Sequence, residues 1–362
     1  MISSNFMRRV LKQHQVSLTR SLGVSSTEMP ELSSFGQSIN SHEELHRFSV
    51  DNPDKFWSTL ARSRLSWEKD FHTGMECDMR RGQFSWFLGG QLNVSVNCVD
   101  RWAALDPERV ALVWEKDEPG QEERVTYSQL LEMVSRLANC LKEAGVKRGD
   151  VVALYLPVTP VAVAAMMATA RIGAVHSVIF AGFSSEAIAS RINDAGASVV
   201  ITADEAVRGG KKIPLKPTVD RALTDCPLVK TVFVQQRTGG DVRMMGGRDV
   251  WLEEAMAGAA TECKPEVMEA EDPLFLLYTS GSTGKPKVIP NQIFLTFRAK
   301  HLFLGSESQL CRLLALRGRH PQTRIRLPAR GAVRLRGGYR VDHGAQLCCV
   351  RAPGQWRHIT PV

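Results

Sequence analysis

Residues 279–287 combine hydroxyl, glycine and lysine side chains in one segment, Thr-Ser-Gly-Ser-Thr-Gly-Lys-Pro-Lys, directly after an apolar run at 273–278. Glycines let the backbone turn its N–H groups toward an anion, hydroxyl groups donate further hydrogen bonds, and lysines supply positive charge. This composition predicts a polyphosphate-binding loop at the end of a buried strand. The candidate phosphate-binding residues are Thr279, Ser280, Gly281, Ser282, Thr283, Gly284, Lys285 and Lys287.

The segment is not a Walker A loop. Two residues, and not four, separate Gly281 from Gly284, and Pro286 follows Lys285 where a Ser or Thr is required. A plain surface turn is the alternative interpretation. The apolar run before the segment and its unbroken composition favour a binding loop.

Residues 208–211, Arg-Gly-Gly-Lys, form a second candidate site for phosphate groups. Arg208 and Lys211 place positive charge on either side of Gly209 and Gly210, which would allow a close approach of the backbone. Taken alone, such a tetrapeptide is more often a surface turn than a binding site.

The elements that must position these segments are predicted by the pattern between residues 110 and 278. Short runs that are apolar throughout alternate with amphipathic stretches. The amphipathic stretches begin at capping residues such as Thr126 or at Pro160, and they end near glycines such as Gly145. This alternation predicts an α/β fold with a mostly parallel sheet and helices on both faces. Ligands bind such sheets beyond the carboxyl ends of the strands.

Several other side chains are interpreted as structural. His176 is expected to be a core histidine with its hydrogen bonds satisfied. Trp86, Phe87 and Trp102 are expected to pack, and Cys98 and Cys140 to be inert buried thiols. The eight cysteines show no metal-site spacing, no apolar run is long enough to span a membrane, and 43% hydrophobic residues exclude wholesale disorder.

The segment at 279–287 resembles the phosphate-binding loop of the adenylate-forming synthetases. Four further segments resemble the AMP-forming acetyl-CoA synthetases in particular: residues 84–102, 111–120, 173–195 and 207–216. The whole resemblance runs from about residue 56 to residue 287. The resemblance implies that this region is the first part of the large N-terminal domain of an adenylate-forming enzyme.

The resemblance also implies a two-step reaction. Acetate attacks the α-phosphate of ATP, and the thiol of coenzyme A then takes the acetyl group from the adenylate. By the same resemblance, the loop binds the β- and γ-phosphates with Mg²⁺, and Arg208, Gly209, Gly210 and Lys211 bind the phosphates of coenzyme A. A propionate or other short-chain acyl-CoA synthetase and a non-catalytic fragment remain alternatives. No metal ligand and no oligomeric state are predicted.

The chain divides by composition into four parts. Residues 1–34 resemble a mitochondrial transit peptide, because the segment holds four basic residues and several serines with no acid before Glu28, which predicts the mitochondrial matrix. Residues 35–105 are the N-terminal synthetase segment, 106–287 are an incomplete AMP-binding α/β domain, and 288–362 are an aberrant tail.

The tail is unusual in charge and composition. Residues 291–362 contain 13 basic and 2 acidic residues, whereas residues 1–290 contain 33 and 36, so the net charge of +8 comes from the tail. The tail alone would suggest nucleic-acid binding. However, codons can be chosen for residues 340–360 such that reading them one base later gives another amino-acid sequence. That second sequence resembles the synthetase region beyond the loop.

We therefore interpret the tail as synthetase coding sequence translated out of frame, after an inserted stretch at 288–310. We expect it to be unstructured and to have no nucleic-acid partner. The family has Gly where this chain has Val288. Nothing beyond Lys287 resembles the family's C-terminal domain, whose lysine serves adenylation, so no catalytic residue is assigned and the chain as written is expected to be poorly active.

Overall fold

The computed structural model describes residues 34–35, 39, 41–78, 80, 83–118, 120–279, 287–292 and 333–336. Nearly all of the predicted leader and residues 280–286 of the predicted phosphate loop lie outside these ranges. The helices are α1 His42–Asp51, α2 Pro53–Arg64, α3 Arg101–Leu105, α4 Tyr127–Glu143, α5 Pro160–Arg171, α6 Ser185–Ala195, α7 Leu215–Leu223 and α8 Leu252–Gly258, with a π-helical turn at Val96–Asp100. The strands are β1 Thr73–Asp78, β2 Gln83–Leu88, β3 Gln91–Leu92, β4 Val110–Glu115, β5 Glu122–Thr126, β6 Val151–Tyr155, β7 Val175–Val178, β8 Val199–Ala203, β9 Glu205–Arg208, β10 Lys211–Pro214, β11 Thr231–Gln235, β12 Asp249–Trp251, β13 Met268–Glu269, β14 Pro273–Thr279, β15 Lys287–Gln292 and β16 Val333–Arg336.

The central sheet has the strand order β12-β11-β8-β6-β7-β14-β15. Six neighbouring strands in this order, β12, β11, β8, β6, β7 and β14, are parallel. At one edge, β15 pairs with β14 in the antiparallel sense. The strands are apolar on both faces because both are covered: Val199, Val200 and Ile201 of β8 are at most 1% exposed. The predicted α/β fold with a mostly parallel sheet is confirmed.

Helix α4 shows why the sequence pattern predicts these elements well. The Thr126 side chain accepts a hydrogen bond from the Gln129 N–H, and the Gln129 side chain accepts one from the Thr126 N–H, which together form a capping box. Leu130, Val134 and Leu137 follow at spacings of three or four and are at most 3% exposed. Burial of each such side chain contributes roughly 1.5–3 kcal/mol to stability.

An N-terminal unit of α1, α2 and the β1–β2 hairpin packs through aromatic side chains. The rings of Trp57 and Trp86 meet edge to face with centroids 6.2 Å apart, and those of Phe71 and Phe87 lie 4.8 Å apart. Trp86 and Phe87 are at most 4% exposed, and half-buried Trp102 lies 6.3 Å from the Tyr127 ring. The predicted packing roles of the three aromatic residues are confirmed.

Two strands lie within the range that was expected to be unstructured. Strand β15 extends the central sheet beside β14, and the short strand β16 pairs in parallel with β4. These two segments form strands because a backbone can pair with an open sheet edge without contributing a core of its own. The rest of 288–362 lies outside the described residues.

Candidate functional site

The strands that lead into the two predicted phosphate-binding segments end at the same edge of the parallel sheet, the carboxyl-end edge. Strand β8 ends at Ala203 and leads into the β9–β10 hairpin, whereas β14 ends at Thr279 and leads into the predicted loop. Strands β6 and β7 lie between β8 and β14. At the usual spacing between strands, the ends of β8 and β14 are about 14 Å apart. The fold thus brings the strand ends before the two segments to one edge, where sheets of this kind bind ligands.

The two ends of the predicted phosphate loop are tied together by the sheet. Thr279 at the end of β14 and Lys287 at the start of β15 are cross-strand partners. Residues 280–286 lie outside the described part of the chain, so the assignment of their side chains to ATP phosphates stays a prediction.

The strand that leads into the loop is anchored to helix α6. The Tyr278 hydroxyl lies 2.9 Å from Asp194 Oδ2 and 3.1 Å from the Arg191 carbonyl oxygen. The Arg191 guanidinium lies over the Tyr278 ring at 5.3 Å and over the Phe183 ring at 4.6 Å. Burial and the hydrogen bond to Asp194 raise the pKa of Tyr278, so its phenol stays protonated and keeps this anchor.

The Arg-Gly-Gly-Lys segment forms the tip of a two-residue hairpin. Arg208 and Lys211 are cross-strand partners, and Gly209 and Gly210 have φ values of 57° and 74°. Two central residues with positive φ define the hairpin turn that matches the twist of its strands. A Cβ at either glycine would meet no atom within 4 Å, so backbone conformation explains the glycines without a crowded neighbour.

The two cations of the hairpin tip are available to a ligand. Arg208 and Lys211 are exposed and make no ion pair within the described residues. The adjacent Lys212 is already engaged, since its Nζ lies 2.8 Å from Glu205 Oε2. This tip can offer two positive charges to phosphate groups.

Asp204, between β8 and β9, is fully buried at the base of this hairpin. Its carboxylate accepts backbone N–H hydrogen bonds from Glu205, Arg237, Thr238 and Gly240 at 2.6–3.3 Å. The loop after β11 and the base of the hairpin are therefore held by one side chain.

The titratable groups elsewhere in the core do not form part of this edge site. His176 on β7 is buried and stacks on Phe275 at 5.3 Å, as a core residue should. Its Nδ1, however, has no hydrogen-bond partner among the described residues, so the expectation of a satisfied histidine is wrong, and burial lowers its pKa to about 4. Cys140 is buried and Cys98 half-buried, and burial raises the pKa of Cys140 to about 11, which agrees with an inert thiol.

Within the described ranges, no three His, Cys, Asp or Glu side chains are placed to hold a metal ion. No helix in the same ranges is long and apolar enough to cross a membrane.

Residues 99–292, more than half of the chain, match the family described as AMP-binding enzyme. The chain belongs to this family. Residues 42–98 match the acetyl-coenzyme A synthetase N-terminus, so the two matches adjoin and together cover most of the described structure.

Relatives and a solved structure agree with this assignment. The chain is 55% identical over 246 residues to acetyl-coenzyme A synthetase of Halorhodospira halophila, covering 68% of this chain and 38% of the relative. It is 57% identical over 237 residues to acetyl-coenzyme A synthetase 2-like, mitochondrial, of Homo sapiens, covering 66% and 34%. The structure resembles acetoacetyl-CoA synthetase from Streptomyces lividans with a TM-score of 0.63 and 28% identity, covering 78% of this chain and 41% of the other. The chain spans about two fifths of the length of the curated relatives it matches.

Sequence reasoning missed the side chains that brace the edge site. Asp204 had one visible signal, an acidic residue directly after an apolar strand of a parallel sheet. No sequence signal pointed to the contact of Tyr278 with Asp194 and Arg191, because it joins segments that are 84 or more residues apart in the sequence.

Proposed function

We propose that the protein is an AMP-forming acetate–CoA ligase, which converts acetate, ATP and coenzyme A into acetyl-CoA, AMP and diphosphate through acetyl-adenylate. The observation that carries the proposal is the pair of adjoining family matches, AMP-binding enzyme at 99–292 and acetyl-coenzyme A synthetase N-terminus at 42–98. The common sheet edge at which β8 and β14 end, directly before the two candidate phosphate segments, supports it, because ATP and coenzyme A must both reach the reacting acyl group.

The residues present fit the two phosphate-bearing substrates. The hydroxyl and lysine side chains of 279–287 suit the triphosphate of ATP, with which Mg²⁺ arrives as the counter-charge. The two unpaired cations of the hairpin tip suit the phosphates of coenzyme A. Positioning and charge neutralisation at these groups are the contributions that this part of the chain would make to catalysis.

We place the protein in the mitochondrial matrix. The basic, acid-free composition of the first 27 residues supports this location, as does the human relative whose name includes the word mitochondrial. A fusion of residues 1–34 to a fluorescent protein should accumulate in mitochondria, and a diffuse signal would contradict the location.

Ligand binding tests the two site assignments separately. We expect Lys285→Ala to raise the Kd for MgATP by about tenfold and leave coenzyme A binding unchanged, since removal of one charge–phosphate contact loses about 1.4 kcal/mol. Arg208→Ala should show the reverse selectivity. Lys147→Ala, an exposed lysine near the start of β6, is the matched control and should change neither. Loss of both ligands in either site variant would contradict the assignment.

Another short-chain acid is the second candidate substrate. The structural neighbour named acetoacetyl-CoA synthetase favours this alternative. Acid-dependent exchange of pyrophosphate into ATP, measured with acetate, propionate and acetoacetate, distinguishes the candidates. Preference for acetate supports the ligase proposed above, and preference for either other acid replaces its substrate.

A further inference from the structure

We infer that Asp204 is a positioning residue, which fixes the β9–β10 hairpin so that Arg208 and Lys211 meet the phosphates of coenzyme A in a preset orientation. The inference rests on the proposed function, because it concerns the site assigned there to coenzyme A. It assigns to Asp204 no contact with the ligand.

The Asp204 side chain uses both carboxylate oxygens to gather backbone N–H groups. Oδ1 accepts from Glu205 at 2.6 Å and from Arg237 at 3.0 Å, and Oδ2 accepts from Thr238 and Gly240, each at 3.1 Å. Hydrogen bonds from several N–H groups to one carboxylate are strong and directional. The side chain thus joins the first residue of β9 to the loop that follows β11.

The Asp204 backbone closes the other end of the hairpin. Its carbonyl oxygen accepts the N–H groups of Leu215 and Lys216, directly after β10, each at 3.2 Å. Its own N–H donates to the Gln235 carbonyl oxygen at the end of β11, at 2.9 Å. Both strands of the hairpin are therefore held at their base by one residue, which is itself held by the sheet.

A second bridge strengthens the same joint. The Thr238 hydroxyl donates to Glu205 Oε2 at 2.6 Å, and that oxygen also accepts from Lys212 Nζ at 2.8 Å. Glu205 thus connects the loop after β11 to the second strand of the hairpin.

A fixed base matters because the tip is a surface feature. Arg208 and Lys211 are exposed, and their long side chains lose conformational freedom when they bind. A hairpin backbone that moved relative to the sheet would add its own ordering entropy to that loss. Preorganisation of the backbone removes this second cost, so the restraint at Asp204 should be reflected in the affinity for coenzyme A.

Asp204→Asn tests the inference in the full chain. The amide keeps the shape but turns an N–H₂ group toward backbone N–H groups, which breaks part of the cluster. We expect faster amide hydrogen exchange in residues 205–216 and about a tenfold rise in the Kd for coenzyme A, equivalent to about 1.4 kcal/mol. The Kd for MgATP should stay unchanged, which a general loss of folding would not allow.

Two variants keep the test decisive. Thr238→Val removes only the hydroxyl bridge and should produce the same pattern in weaker form, should Asp204→Asn fail to fold. Asn93→Asp is the matched control, because Asn93 is 6% exposed. Its amide donates to the carbonyl oxygens of Ala170 and Arg171 at the carboxyl end of α5, at 3.1 and 3.2 Å, and to that of Glu266 before β13, at 2.8 Å. It should lower stability without a selective effect on coenzyme A or on exchange in 205–216.

The outcomes separate this inference from the proposed function. If Arg208→Ala/Lys211→Ala binds coenzyme A as tightly as the unmodified chain, or if the unmodified chain does not bind it, the site assignment fails and the functional role of Asp204 fails with it. If the double variant loses binding but Asp204→Asn and Thr238→Val keep the normal Kd, the site stands and the inference is overturned. Unchanged exchange in 205–216 in both variants would also overturn it.

Discussion

His176 places a titratable ring in the middle of the sheet, and its Nδ1 has no hydrogen-bond partner in the part of the chain that the structure describes. Its pKa of about 4 lies below the ordinary value of 6.5 because burial disfavours the imidazolium. Between these values the unfolded chain binds a proton that the folded chain does not. Stability should therefore be fully retained above pH 6.5 and be lost as the pH falls toward 4.

We predict that His176→Leu flattens this part of the pH profile. The protonation of His176 should lower the free energy of unfolding by about 3 kcal/mol between pH 7 and pH 4. Urea unfolding at several pH values, compared between the variant and the unmodified chain, measures the effect. The comparison is needed because burial raises the pKa of Glu271 to about 7. Protonation of Glu271 increases stability as the pH falls, which opposes the effect of His176 in part of the same pH range. Parallel profiles for the two proteins would contradict the prediction.

At the scale of single elements, the helices and parallel strands were predictable because each carries its own local signal. Thr126 at a cap, Pro160 at a first turn and Gly196 with φ of 63° after α6 mark boundaries that the sequence displays. The β1–β2 hairpin was not predicted. Its stability comes from aromatic contacts such as that between Trp57 and Trp86, which join residues far apart in the chain.

We predict that Gly209→Val destabilises the β9–β10 hairpin, whereas Gly209→Asn is tolerated. A β-branched side chain at positive φ is strained by about 1–2 kcal/mol, whereas Asn adopts this conformation readily. The position is open in space, so the difference between the variants reports backbone conformation alone. Thermal denaturation should show a lower Tm for the valine variant only, and an equal loss in both would contradict the turn assignment.

The buried ion pair between Arg171 and Asp100 connects α5 to the π-helical turn. Its N–O distances are 2.8 and 2.9 Å, and Arg171 also donates to the Cys263 carbonyl oxygen at 2.6 Å. We predict that Asp100→Asn lowers the free energy of unfolding by about 3 kcal/mol, since it leaves a buried guanidinium without a counter-charge.

Glu132→Gln is the matched control for the ion pair. Glu132 pairs with Arg136 at 2.8 Å, but the Glu132 side chain is 52% exposed, so its loss should change stability by less than about 0.5 kcal/mol. Denaturant unfolding of the two variants makes the comparison. A similar small effect for both would mean that the Arg171–Asp100 pair is not buried in solution.

At the scale of the whole molecule, the sequence predicted the fold class and ligand binding at the carboxyl-end edge of the sheet. Both follow from the alternation of strands and helices, because this alternation is typical of a parallel sheet. The bracing of that edge was not predictable, since Asp204 gathers groups from positions 205 to 240 that meet only after folding. The order of the strands likewise depends on crossovers that no local pattern encodes.

We predict that the 362-residue chain itself turns over acetate slowly. The match to the AMP-binding enzymes ends at residue 292, and the prediction rests on our interpretation of the tail as sequence translated out of frame. Losses of positioning and of charge stabilisation each lower rates by orders of magnitude. Acetate-dependent pyrophosphate release should be much faster in a version translated one base later through the tail. Equal turnover in the two versions would contradict the prediction and the out-of-frame interpretation together.

The pairing of Thr279 with Lys287 has a thermodynamic consequence for the seven residues between them. Bringing the two ends of a chain segment together loses conformational entropy, and the loss grows with the length of the segment. Formation of the β14–β15 ladder brings these ends together, so the entropy loss is part of the free energy of folding. Nucleotide binding between the ends therefore does not incur the loss a second time. Substitutions at 280–286 should therefore change nucleotide affinity far more than stability, whereas breaking the ladder at the pair of Leu277 and Ile289 would weaken binding through loop-closure entropy.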